Sequence, residues 1–158
     1  MEVIMKILLA VDVQPEFNND DEKYSKIVDY IRQAKQSGGY DAVYATVCGN
    51  KPDGSYVRYS NWTDLLDGVK PLDFDADKVY YKTVYGLKES EYLEMGGENE
   101  YTVIGYNTGA CVLKVCLDLF DLEYDFRVLK DYCYSSDGPT AHYRGLSMMY
   151  NLFENAVV

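Results

Sequence analysis

Apolar positions fall into short runs separated by stripes of helical period. Residues 5–13 (MKILLAVDV) are apolar apart from Lys6 and Asp12, the pattern of a strand buried on both faces. A polar stretch with Pro15 follows. Tyr24, Ile27, Val28, Ile31 and Ala34 then recur at helical spacing, and Gly38-Gly39 closes that helix. Residues 41–48 (DAVYATVC) read as a second strand. Residues 49–77 are rich in Gly, Pro, Asp, Asn and Ser and are long for a connection, the mark of a functional loop, with a short helical turn at Asp64, Leu65 and Leu66. Further strands are predicted at 79–84, 101–105 and 126–129. Between them lie a short helix at 88–95 and a helix burying Val112, Val115, Cys116, Leu119 and Phe120, with Lys114 paired to Asp118 on its other face. A last amphipathic helix covers 140–154.

Strands alternating with helices predict a three-layer α/β/α sandwich around a mostly parallel, doubly wound, Rossmann-like sheet. Its crossovers should be right-handed. The length of 158 residues suits one domain over 1–158.

Charge narrows the partners. Lys and Arg number 15 against 26 Asp and Glu, a net charge of -11 that repels nucleic acid and anionic membranes. No apolar run is long enough to span a bilayer, and the first residues do not read as a signal peptide. Four cysteines (Cys48, Cys111, Cys116, Cys133) without a CxxC pair predict free thiols in a reducing cytoplasm. The single histidine, His142, excludes a multi-histidine metal site built from this chain alone. The 17 tyrosines carry no assignable role in the sequence.

In doubly wound folds ligands bind beyond the carboxyl ends of the strands. Asp12 ends the first strand, Lys82 stands near the end of the third, and Cys111 follows the fourth at the start of a helix. Each has an ordinary structural role when taken singly. Together they form a set that needs no imidazole. The helix N-terminus and the Lys82 ammonium favour a thiolate, and Asp12 can take the thiol proton and return it to a leaving amine.

The words around these residues resemble the isochorismatase-like cysteine hydrolases. LLAVDVQPEF (8–17) is similar to the family's strand-one motif through Asp12, Gln14 and Phe17. YYKTVYGL (80–87) resembles the strand carrying the family lysine. The segment 103–133, opening VIGYNTGACV, resembles the Gly-x-x-Thr-x-x-Cys-Val motif through Gly105, Thr108, Cys111 and Val112. The resemblance implies Asp12 as general acid/base, Lys82 as its charged partner and Cys111 as nucleophile. It implies a cis peptide at Tyr106-Asn107, with backbone N–H groups of Asn107 and Cys111 as oxyanion donors worth about 3 kcal/mol each. Phe17, Trp62 and Tyr85 would line the substrate pocket.

Gly109 departs from the family, which frequently has a polar residue after the motif threonine. Nicotinamidases in the family hold a metal through an Asp and several His after strand two. Residues 48–62 contain no histidine, which places the chain nearer the metal-free branch, with no metal and no cofactor. The implied substrate is a small amide, carbamoyl compound or ureide, and the implied assembly a homo-oligomer. Vinyl-ether hydrolysis of the isochorismatase type and a non-catalytic scaffold are the alternatives. Cys48, Cys116 and Cys133 read as structural, and His142 as a packing or interface residue.

Overall fold

The computed structural model describes residues 3–37, 39–50 and 69–158. Five parallel strands form one sheet in the order β3-β2-β1-β4-β5. They are β1 (Lys6–Val11), β2 (Ala42–Cys48), β3 (Lys78–Lys82), β4 (Glu100–Tyr106) and β5 (Asp125–Tyr134). Helices α1 (Asp21–Gln33), α2 (Glu89–Met95), α3 (Leu113–Asp121) and α4 (Pro139–Phe153) complete the layers. The central strands β1 and β2 are buried almost throughout, which explains their unbroken apolar runs.

Alternation along the strands splits the core. Leu8, Ala10, Val43, Ala45 and Ile104 face α1, where Tyr24, Ile27, Val28 and Ile31 pack. Ile7, Leu9, Tyr44, Tyr80 and Val103 face the other layer, with Tyr92 of α2, Val115 and Leu119 of α3 and Met149 of α4. Each such large side chain contributes roughly 1.5–3 kcal/mol when fully buried. Helix α1 is fixed at its start by Asp20, whose carboxylate accepts the Lys23 N–H at 3.1 Å. Such a cap contributes about 1 kcal/mol. Residues 69–77 are tied to α1: the Tyr24 hydroxyl donates to Asp73 at 2.6 Å, and Arg32 Nε to the Asp73 carbonyl at 2.8 Å.

Two sequence expectations change. Strand β5 extends to Tyr134, so Cys133 and Asp131 lie inside it rather than at or after its end. It is an edge strand, and the exposed residues Arg127, Lys130 and Asp131 break the apolar signal. Phe120 is 52% exposed, at the flank of the buried α3 stripe in the helix's last turn. Residues 64–66 and Trp62 lie outside the described residues. Among the described residues no helix is long and apolar enough to cross a membrane.

Candidate active site

The carboxyl ends of β1, β2 and β3 and the turn after β4 build the site. Strand parity aims its side chains. Tyr44 and Tyr80 point to the α2/α3 layer, so Thr46 and Cys48, two and four residues on in β2, and Lys82, two on in β3, share that face. Asp12 is different. Val11 lies in the α2/α3 core and Val13 in the α1 core, so alternation breaks at the residue between them. That residue has φ +50, a backbone region few non-glycine residues adopt.

Asp12 is completely buried and held by fixed donors. Lys82 Nζ donates to Oδ2 at 2.9 Å and the Thr46 hydroxyl to Oδ1 at 2.7 Å. Thr46 Oγ1 also accepts the Asp12 N–H at 3.1 Å. The side chains of Lys82 and Asp12 are 2% and 0% exposed, a fully desolvated ion pair. The Val84 carbonyl accepts a second Lys82 hydrogen bond at 3.0 Å. Burial works against the lysine's charge, but Asp12, with help from the Cys111 and Cys48 thiols, outweighs it and holds the pKa above the ordinary lysine value.

Cys111 sits in a π-helical turn, Thr108–Val112, that leads into α3. Hydrogen bonding with the Cys48 thiol, burial and the Asp12 carboxylate push the Cys111 thiol well above its ordinary range. Lys82 pulls the other way without reversing this. The resting group is therefore a thiol under the influence of the Asp12 carboxylate, rather than the preformed thiolate that Lys82 alone would favour.

The backbone that delivers this turn is unusual. Gly105 has φ +126, and a Cβ there would lie 2.0 Å from the Val11 carbonyl oxygen, so only glycine fits. The β4–β5 register shifts beside it. The Tyr106–Asn107 peptide is cis. The Asn107 side chain donates to Ser136 Oγ at 2.9 Å and accepts the Ser136 N–H at 2.8 Å, and Asn19 donates to the Ser136 carbonyl at 2.7 Å. Three loops at the carboxyl edge are thus pinned together. Thr108 Oγ1 shares a 2.6 Å hydrogen bond with His142 Nδ1 of α4. Gly109 meets Gly145 of α4: a Cβ on Gly145 would lie 2.5 Å from the Gly109 nitrogen.

The three residues singled out in the sequence, Asp12, Lys82 and Cys111, meet in one buried cluster. Phe17 is partly buried against the α1 core, and Tyr85 is 49% exposed after β3. Sequence reasoning missed Thr46 and Cys48 as neighbours of the cluster, and the Gln14 clamp that binds Cys48. The Gln14 amide donates to the Cys48 carbonyl at 3.0 Å and accepts its N–H at 2.8 Å. The Asp-Gln spacing in the first motif was the available signal.

The fold and these residues define a doubly wound α/β domain with an acid, a lysine and a thiol gathered at its strand ends. The chain belongs to the isochorismatase domain family of hydrolases, whose family model matches residues 6–157. Comparison with curated protein sequences gives no significant match. Solved structures share the fold. An isochorismatase-like hydrolase from Alkaliphilus metalliredigens is 15% identical with a TM-score of 0.69, covering 97% of this chain and 93% of that one. A pyrazinamidase from Pyrococcus horikoshii in complex with zinc is 21% identical with a TM-score of 0.68, covering 96% of each chain. A nicotinamidase/pyrazinamidase from Bacillus subtilis is 19% identical with a TM-score of 0.68, covering 98% of this chain and all of that one.

The zinc belongs to the Pyrococcus protein. Among the described residues here, no group of three or more His, Cys, Asp and Glu side chains could hold a metal ion. His142 is engaged through Nδ1 with Thr108. These residues do not fit a metal centre.

Proposed function

We propose that the chain is a cysteine amidohydrolase acting on a small carboxamide, carbamoyl compound or ureide. One observation carries the reading: a fully buried Asp12–Lys82 pair with the buried Cys111 thiol beside it. A carboxylate held by Thr46 and Lys82 is oriented to receive a proton from sulfur. As sulfur attacks the carbonyl carbon, the thiol proton passes to Asp12. Asp12 then returns it to the departing amine or ammonia, leaving a thioester on Cys111. Water attacks the thioester and releases the acid. Lys82 keeps its charge throughout and compensates the Asp12 carboxylate when the proton leaves. The backbone N–H groups of Asn107 and Cys111 serve the developing oxyanion.

The amide class is supported by neighbours of the same fold described as pyrazinamidase and nicotinamidase, both named for carboxamides.

A screen of small amides and ureides, read by release of ammonia or amine and by intact mass for an acyl adduct, tests the reading. Wild-type protein should turn over at least one substrate and carry the adduct. Cys111→Ala should do neither while melting like the wild type. Full turnover by Cys111→Ala would overturn the proposal.

A further inference from the structure

Cys48 takes no part in the hydrolysis outlined above, yet it stands beside its nucleophile. Parity along β2 puts its side chain on the α2/α3 face, where Cys111 also packs. The strand register sets it opposite Lys82 in β3. The Gln14 amide holds its backbone through both the N–H and the carbonyl. Lys82 in turn reaches Asp12 at 2.9 Å, which sets the Cys48 side chain beside the acid–lysine pair, and Cys48 is the foremost influence on the Cys111 thiol. All four cysteines are free. Cys116 lies in the interior on α3, and Cys133 is buried on the edge strand β5 opposite Gly105, with β4 and β1 between it and β2.

We propose that Cys48 is the resolving partner of Cys111: when peroxide oxidises Cys111, Cys48 captures it as an intramolecular disulfide that shuts the site reversibly. In the first step the Cys111 sulfur attacks peroxide. An S–O bond forms, the O–O bond breaks, and sulfur is oxidised to a sulfenic acid. The thiol proton passes by way of Asp12 to the leaving hydroxide and departs as water. In the second step the Cys48 sulfur attacks the sulfenic sulfur. An S–S bond forms, the S–O bond breaks, and the Cys48 proton leaves with the hydroxide as a second water. Together one peroxide and two thiols give one disulfide and two waters. A dithiol reverses the change by exchange. Without a nearby second thiol, a sulfenic acid climbs to the sulfinic state, which a dithiol does not reduce. The placement of Cys48 guards against that climb. The disulfide stands on the thiol placement, and only its effect on turnover rests on the hydrolase reading.

The test treats the full chain with hydrogen peroxide, digests it without reduction and maps the peptides by mass. The expected product joins the Cys48 peptide to the Cys111 peptide with loss of two hydrogens, separates on adding dithiothreitol, and leaves Cys116 and Cys133 as thiols. In Cys48→Ser, or Cys48→Ala should the serine variant fail to fold, Cys111 should reach the sulfinic acid, and dithiothreitol should not restore it. Sulfinic Cys111 beside a free Cys48 in wild-type protein overturns the inference, as does a Cys116–Cys133 bridge formed in its place. Turnover should vanish on oxidation and return on reduction. A bridge that forms in a protein whose Cys111→Ala variant still hydrolyses the substrate would leave the disulfide standing and remove Cys111 as the nucleophile.

Discussion

Two Lys–Asp pairs in this protein have the same 2.9 Å separation and different physics. Lys82–Asp12 lies at the carboxyl ends of the strands with side chains 2% and 0% exposed. Lys35–Asp77 lies near the amino end of β3 with side chains 50% and 40% exposed. Water screens the second pair, so its ionic contact is worth little. The first pair has lost its water. Its attraction must offset a desolvation cost of several kcal/mol per ion, and an apolar pair of the same volume would often serve stability as well. A buried pair is therefore poor evidence of structural need. Here the same carboxylate faces a thiol, the arrangement that proton transfer requires.

The largest effect expected follows from breaking the buried pair on one side. Lys82→Met leaves Asp12 charged and uncompensated and should cost about 3–5 kcal/mol in urea unfolding. Asp12→Leu combined with Lys82→Met should recover most of that loss while abolishing amide turnover. If the double variant stays as unstable as the single one, the pair is structural and the comparison fails. Thr46→Val comes next. It removes the hydroxyl that donates to Asp12 and should cost about 1–3 kcal/mol, because a buried acceptor loses its donor. Amide turnover should fall with it as the carboxylate loses its orientation.

Lys35→Met should change stability by less than about 1 kcal/mol. The Val43 N–H, ahead of Lys35, is what holds the Asp77 carboxyl below the usual carboxylate range. Stability from Asp77 is therefore present above the unfolded pKa of about 4 and is lost as pH falls through the lower folded value. Asp77→Asn should flatten that acid limb, and Lys35→Met should leave most of it. The smallest effect concerns His142. Burial, and then Lys23, lower its pKa from the ordinary 6.5, while Asp131 pulls it up. The unfolded chain protonates first, so stability should fall as pH drops below about 6.5 and level off beneath the folded value. Thermal melts of wild type and His142→Gln across that window check this, since the variant should lose the slope.

The strand-end rule reached Asp12, Lys82 and Cys111 from sequence because it depends only on where strands stop. Thr46 and Cys48 stayed hidden because their role depends on β2 lying between β1 and β3, which no local pattern states. Reading Cys48 as the end of a buried strand was sound, but strand parity turns its thiol toward Cys111 rather than into the α1 core. Asp12 escapes parity altogether through its left-handed backbone, a conformation with no signature in the alternation. The edge strand β5 outruns its apolar signal at 126–129 because half of it faces water, and apolar runs report burial rather than hydrogen bonding.

Helix α4 rests backbone on backbone against Gly109, with no room for a single methyl group between them. The helix is thus a hard stop for the loop that carries the sulfur, two residues farther on. Gly145→Ala is expected to act as a shim, moving the nucleophile by about the thickness of a carbon atom. Distances set at the reacting centre are in this way gauged from the far side of a helix.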